Sequence, residues 1–379
     1  MKILVLCSDN PSPPINGTRI RNHYLWPELR ALGHEVRLLS LTRDPADLSL
    51  SNDEIEFFLF ERPGPLKRVL MRLCYSYHQW PVSLTLARRV RELCESWRPD
   101  VVHAEELRMG AYLPEGSKAK LTVTAHNVES ELLLKTRPFP LALGRGLFTR
   151  LYRFNLRRFE RELFRRVDRA WAYSALDQQR YQALYQEARL AYTRNGTKAI
   201  ARDEGTPPAP TELLFLGSLN YAPNIEGLYW FLDEIYPQLG AEFRLTVAGS
   251  GALPGVRSRL ARERVRFLDT PLELAPVYQN SALLVVPLKS GSGTRGKILE
   301  SLMYTRPVLT TSLGVEGLDL QGGILRAEDT REFVAQLRAW QKLSAEERRL
   351  LGHAGHREVL AKYSWGVVAR ELDAEWRSL

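Results

Sequence analysis

The sequence predicts an α/β protein of two domains, each built on a parallel sheet. Three observations carry this. Short apolar runs alternate with segments of helical spacing along nearly the whole chain. The 379 residues exceed what one hydrophobic core usually serves. A polar stretch with three prolines within four residues, ARDEGTPPAPTE (201–212), separates two such alternations. Strands joined through helices make a parallel sheet covered on both faces.

Residues 2–7 form the first apolar run, followed by the loop SDNPSPPINGT and a helical pattern through about Leu32. Gly33 ends that helix, since a C-cap favours a residue free to take positive φ, and EVRLLSL follows as a strand. VVHA (101–104) and LTVTAHN (121–127) are further buried strands, with helical segments near 84–97 and 145–166. The rhythm restarts after the linker: ELLFLGSL, FRLTVAGSG, RVRFLD, ALLVVPL and RPVLTTS are successive apolar runs. The final SWGVVARELDAEWRSL has apolar residues at helical spacing and reads as a closing helix. The expected layout is an N-terminal domain over 1–196, a linker over 197–212, a C-terminal domain over 213–363 and the closing helix over 364–379.

Parallel sheets bind ligands beyond the carboxyl ends of their strands, so the loops after the apolar runs are the candidates. PLKSGSGTRGKILESL (287–302) is the richest. Gly291, Gly293 and Gly296 let backbone N–H groups turn toward an anion, Thr294 offers a hydroxyl, and Arg295 and Lys297 add charge where a helix begins. Glu300, one turn further, repels phosphate but accepts two hydroxyl protons from a vicinal diol such as ribose. Together these describe a nucleotide-diphosphate site; the competing reading is a solvated helix start. Ile298 follows Lys297, so this is not a Walker A loop. FLGSLNYAPNIEGL (215–228) repeats the strand-to-glycine pattern with Gly217 and Ser218, while Asn220 and Asn224 either cap a helix or touch a ligand. In the first half, TAHNVES puts His126, Asn127 and Glu129 at a strand end, where His126 either bonds a sugar hydroxyl or serves the fold alone. The loop around Gly17 follows the first strand. HExxH, D-x-D and nucleophile constellations are absent from the sequence.

In this order, the motifs resemble glycosyltransferase family 4, of the two-domain GT-B fold. The resemblance rests on the P-x-x-x-G loop (Pro13, Gly17), LRALGHEV (29–36), HNVE (126–129), AYSALD (172–177), RNG (194–196), FLGSLNYAPN (215–224) and G-T-R-x-K-I-L-E (293–300). It is closest to the bacterial exopolysaccharide and cell-surface branch. The resemblance implies two facing Rossmann-like domains with a ligand cleft between them. It also implies retaining, metal-independent hexosyl transfer from a UDP- or GDP-linked sugar to a glycan, lipid-linked or small-molecule acceptor, with no cofactor. By position, Glu300 would hold the donor ribose. Arg295, Lys297 and the Gly293–Thr294 backbone would hold the diphosphate, with Gly217 and Ser218 beside the nucleotide. His126 would meet the transferred sugar, Asn127 would lie beside it, and Gly17 would approach the diphosphate and acceptor. The first Glu of the family's E-x7-E motif, which contacts sugar hydroxyls, falls at Ser292, so Ser292 would stand at the donor sugar in its place, and SLNYAPN lacks the family's Arg/Lys pair. The phosphate charge is therefore assigned to Arg295 and Lys297.

Composition narrows the alternatives. The chain is 44% apolar and 26% charged, as ordinary soluble domains are, and no run approaches the ~18 apolar residues of a membrane span. The opening apolar run is broken by Asp9, Asn10 and Pro11 without a small-residue cleavage site, so it reads as a strand rather than a signal peptide. Cys7, Cys74 and Cys94 lack C-x-x-C spacing, which fits a reducing compartment and no structural zinc. A cytoplasmic location is expected, extending to the inner membrane face if the acceptor is lipid-linked. The net charge of +9 belongs to the first half: residues 1–200 hold 32 Lys and Arg against 22 Asp and Glu, and residues 201–379 hold 21 against 22. Nine arginines against three acids crowd residues 144–169. Their interleaved Leu, Phe and Tyr at helical spacing suggest one packed and one solvated face, with an anionic membrane surface a better partner than nucleic acid. The rival functions are a nucleotide-sugar epimerase of the same architecture and a basic nucleic-acid- or membrane-binding protein.

Overall fold

The computed structural model describes residues 1–14, 17–60, 64, 83–126, 128, 130, 145–202, 205, 208–291 and 295–379. Four of the candidate residues, Asn127, Ser292, Gly293 and Thr294, lie outside them, as do Glu129 and Cys74. The chain divides into two compact units, Met1–Asn195 with Val368–Leu379, and Gly196–Val367.

The first unit runs β1 (Lys2–Cys7), α1 (Gly17–Ala31), β2 (Glu35–Thr42), β3 (Ile55–Leu59), α2 (Leu84–Ser96), β4 (Val101–Glu105), β5 (Lys120–Ala125), α3 (Arg145–Arg166), β6 (Arg169–Ala172), α4 (Ala175–Leu184) and β7 (Leu190–Tyr192). Among the described residues its sheet is parallel, in the order β3-β2-β1-β4-β5-β6-β7. β1 and β4 are neighbours in space but not in sequence, so the connection reverses direction between them and leaves a crevice at their carboxyl ends. Register sets Cys7 beside Glu105, and Glu105 beside Thr124, on that edge.

Local chemistry explains the elements. β1 is buried from Ile3 to Cys7 because helices cover both faces of the sheet, which is why it reads as a continuous apolar run. α1 ends in a Schellman turn: His34 N–H donates to Leu29 C=O and Gly33 N–H to Arg30 C=O, with Gly33 at φ 87°. Ser83 caps α2, its hydroxyl accepting from Leu86 N–H. The core of this unit joins Leu4, Leu6, Val102 and Val123 to Leu163 and Phe164 of α3.

The second unit runs β8 (Glu212–Leu216), α5 (Ala222–Trp230), β9 (Arg244–Gly249), α6 (Pro254–Leu260), β10 (Val265–Asp269), α7 (Ala275–Gln279), β11 (Leu283–Val286), α8 (Gly296–Met303), β12 (Val308–Thr310), β13 (Ile324–Arg326), α9 (Thr330–Lys342) and α10 (Ala345–Tyr363). Its sheet is again parallel, β10-β9-β8-β11-β12-β13, with the reversal between β8 and β11. The two faces bury separate clusters, one around Phe215, Val247 and Phe333, the other around Leu214, Leu284 and Leu302. The last helix, α11 (Trp365–Arg377), is mostly counted with the first unit.

Candidate active site

In the second unit, the loops after β8 and β11 flank the reversal point. Gly217 ends β8, and a Cβ there would stand 2.8 Å from the Asn224 amide and 2.9 Å from Lys297 Nζ, so a side chain would displace both. Lys297, in the first turn of α8, donates from Nζ to Asn224 Oδ1 at 3.0 Å. Asn224 in turn donates from Nδ2 to Ser218 C=O at 3.0 Å. Asn224 therefore bridges the two loops. Burial and then the neighbouring Arg295 push the Lys297 ammonium down to about 7. The Ser218 hydroxyl donates to Asn220 Oδ1.

Glu300 stands one turn along α8 from Lys297. Burial pushes its carboxyl up, and the hydrogen bond from Tyr278 Oη at 3.0 Å partly offsets that rise. Tyr278 is fully buried and stacked on Tyr304. Arg295 precedes α8 and is buried; its Nη2 donates to Gly291 C=O at 3.3 Å and Leu313 C=O at 3.4 Å. Burial lowers its pKa, against the pull of Tyr221 and Glu316. These bonds tie Arg295 to Gly291, where the glycine-rich loop begins, and to the turn at Leu313 that follows β12. Gly291 takes φ 113° against Pro223, a conformation that favours glycine.

The first unit assembles a second cluster at its own reversal point. Gly17 is the first residue of α1, with open space where a side chain would stand, and not part of a preceding loop. Thr18 follows it and donates to Glu106 Oε1 at 3.0 Å. His126, just past β5, has both ring nitrogens engaged. Nε2 lies 2.9 Å from Glu105 Oε1, and Nδ1 lies 3.3 Å from Thr18 Oγ1 and 3.5 Å from Glu106 Oε1. The ring keeps 13% of its side-chain surface exposed. Glu105 Oε1 also receives Tyr173 Oη at 2.7 Å and lies 3.2 Å from Arg21 Nε, both of these side chains coming from other elements. Arg21 and Glu105 are completely buried. Burial alone would raise the Glu105 carboxyl, but Arg21 and the bonds from His103 and His126 hold it well below the usual range. Glu106 is a non-glycine residue at φ 86°, strain of a kind that gathers at functional sites.

Sequence reasoning missed Glu105, Glu106, Arg21 and Tyr173. The available signal was the acidic pair at the carboxyl end of VVHAEE, the strand position where ligands bind. Among the described residues no group of three or more His, Cys, Asp or Glu is placed to hold a metal ion. A cavity of about 1050 Å³ lies near the opposite ends of β8–β10, lined by Glu212, Arg244 and Arg266, and includes none of these side chains.

The comparisons bear on the family and the fold. Residues 16–196 match the family model described as glycosyl transferase 4-like domain, and residues 210–342 match glycosyl transferases group 1. A curated relative, an uncharacterized 44.6 kDa protein in the cps region of Klebsiella pneumoniae, is 28% identical over 123 residues, covering 29% of this chain and 31% of that protein. Among solved structures, a Rickettsia africae glycosyltransferase aligns at TM-score 0.72 and 12% identity, over 100% of this chain and 98% of that one. Sucrose-phosphate synthase from Thermosynechococcus elongatus aligns at 0.70 and 15%, over 100% and 99%. Anabaena Alr3699/HepE, solved with UDP and glucose, aligns at 0.68 and 14%, over 100% of both chains. With one glycosyltransferase model matching each unit and two parallel sheets reversing at the same point, the chain belongs to the family 4 glycosyltransferases of GT-B fold.

Proposed function

We propose that this glycosyltransferase is a retaining, metal-independent hexosyltransferase using a UDP- or GDP-linked sugar, without a cofactor. The observation that carries the donor assignment is the convergence of Lys297, Asn224 and Gly217 at the reversal point of the second sheet, with Glu300 one turn along the same helix. Lys297 supplies a cation to the diphosphate, the 291–297 loop supplies backbone N–H groups, and Glu300 accepts the ribose hydroxyls. Arg295 acts with them by linking the start of that loop at Gly291 to the turn at Leu313. The leaving diphosphate, stabilised by these fixed positive groups, takes the acceptor proton at the front face of the sugar, so no covalent nucleophile is required. His126 meets the transferred hexose. The Anabaena neighbour solved with UDP-glucose supports a nucleotide sugar as donor.

The acceptor we favour is a cell-surface glycan intermediate carried on lipid at the cytoplasmic membrane face. Exposed Leu151 and Phe154 beside exposed arginines of α3 support peripheral contact with an anionic membrane there. Among the described residues no helix is long and apolar enough to cross a membrane.

The donor assignment is tested by titrating UDP and GDP into the wild type and Glu300→Ala. Loss of a charged hydrogen bond should weaken binding of the preferred nucleotide by at least ~1.5 kcal/mol. Equal affinity in a folded Glu300→Ala protein removes Glu300 from the nucleotide site.

A further inference from the structure

The Glu105 carboxylate does more than balance a buried arginine. An ion pair with Arg21 would be complete with those two groups, yet Oε1 also receives His126 Nε2 and Tyr173 Oη, and Oε2 lies 3.2 Å from His103 Nε2. The side chain is completely buried and held ionised by its neighbours, so it only accepts hydrogen bonds. Every nitrogen facing it must therefore bring a proton. For His103 this leaves Nδ1 to accept from Thr122 Oγ1 at 2.9 Å. For His126 it puts a proton on Nε2, which also lies 2.5 Å from Tyr173 Oη, while Nδ1 faces Thr18 Oγ1 and, at 3.5 Å, Glu106 Oε1.

The surroundings make this arrangement stiff. Tyr173 stacks on the His126 ring, centroids 4.3 Å apart and planes 26° apart, and it bonds the same carboxylate. Arg21 lies over the other side of the system, 5.1 Å from the Tyr173 ring, and donates from Nη1 to Arg194 C=O. Behind Glu105, His103 is walled by Trp26, Trp171 and Trp376, with ring centroids 5.6–5.9 Å away.

We infer that Glu105 is the positioning residue for His126, fixing its ring plane and its Nε2–H for transfer. The inference rests on the reading that His126 takes part in transfer. Partners that orient a metal-bound histidine through its other nitrogen change activity by about 10- to 100-fold when removed, which sets the scale expected here.

The deciding measurement is the long-range ¹H–¹⁵N spectrum of the full chain labelled at its seven histidines, with His126 assigned by difference from His126→Asn. The expected wild-type spectrum has a protonated Nε2 on His126 from pH 6 to 9. A bare Nε2 with the proton on Nδ1 would overturn the inference without any further variant. Glu105→Gln leaves Arg21 charged, buried and unpaired, which destabilises the fold; Arg21→Met/Glu105→Gln removes both charges together. In whichever of these folds, the His126 nitrogens should move to intermediate shifts of mixed tautomers. Turnover of the UDP- or GDP-hexose used by the wild type should fall at least about tenfold, with KM within about threefold. Wild-type shifts and turnover in the neutralised variant would refute Glu105 as the positioning group. His126→Ala run alongside separates the two failures. If it is impaired while the neutralised variant is active, only the Glu105 inference falls. If it is fully active, the role of His126 in transfer falls first and carries the inference with it.

Discussion

Lys297 illustrates how one side chain acquires its chemistry from position. Its ammonium lies over the Phe215 ring, 5.7 Å from the centroid, donates to Asn224 Oδ1, and has Arg295 nearby. Below about pH 7 it is charged and attracts a diphosphate. Above that pH the free protein loses the proton, and binding must take one up. UDP affinity should therefore fall by up to about tenfold per pH unit above neutrality, until the pKa of the bound form is reached. The sign for stability is the reverse. The unfolded lysine titrates near 10.5, so between about 7 and 10.5 the unfolded chain binds more protons, and the cost of burying the cation fades as pH rises. Calorimetric titration of UDP from pH 6.5 to 9 checks the binding side, with Lys297→Met expected to bind weakly and with a flat profile. A slope shared by both proteins would assign the dependence to another group.

At the scale of elements, α3 shows how a basic helix divides its work. Leu156, Phe159, Leu163 and Phe164 are buried in the core of the first unit, as their helical spacing requires. Arg150, Phe154, Arg158, Arg161 and Arg165 recur at three- and four-residue intervals on the exposed side, with Phe154 66% exposed. Not all of that charge is available to a partner: Arg158 pairs with Glu162, Arg165 with Glu187, and Arg166 bonds Gly110 C=O near Glu115. The attractive charge is thus smaller than the nine arginines of the sequence suggest. Cations near an anionic leaflet contribute about 1 kcal/mol each and are screened by salt. Co-sedimentation with anionic vesicles should be clear at low salt, weak at high salt and absent with neutral vesicles. Phe154→Glu should reduce it at low salt. Negligible sedimentation under all conditions would leave this stripe a solvated face and favour a soluble acceptor.

At the scale of the whole molecule, each unit repeats one winding, and in each the candidate side chains collect where the strand order reverses. The first unit is completed by the far end of the chain. Trp376 is buried against His103 and Trp171, and buried His34 meets Asp373 at 2.9 Å. Replacing a buried Trp by Ala typically costs about 3–5 kcal/mol. Trp376→Ala should lower the unfolding midpoint of the first unit and leave UDP binding to the second intact. Differential scanning calorimetry with and without UDP separates the two units, because ligand stabilises only the unit that binds it. An unchanged thermogram would mean that α11 is dispensable to the first unit.

The order of strands and helices was legible in the sequence because it is written in local pattern. The runs at 3–7, 213–216 and 283–286 are apolar on both faces, Gly33 terminates its helix by backbone freedom, and the glycine-rich stretch before Lys297 precedes a helix start. Lys297 and Glu300 were legible for the same reason, being a few residues apart on one helix. The short strands β7 and β13, three residues each, carried no such pattern; their neighbours in the sheet define them. His126 was visible as a residue type at a strand end, but its partners were not. Glu105 lies 21 residues before it and Tyr173 47 after it, and Arg21 comes from the first helix. Only the pairing of β1, β4, β5 and β6 brings them together. Local sequence determines which segments extend or coil, whereas a buried charge becomes tolerable only when the folded sheet delivers its partners from distant parts of the chain.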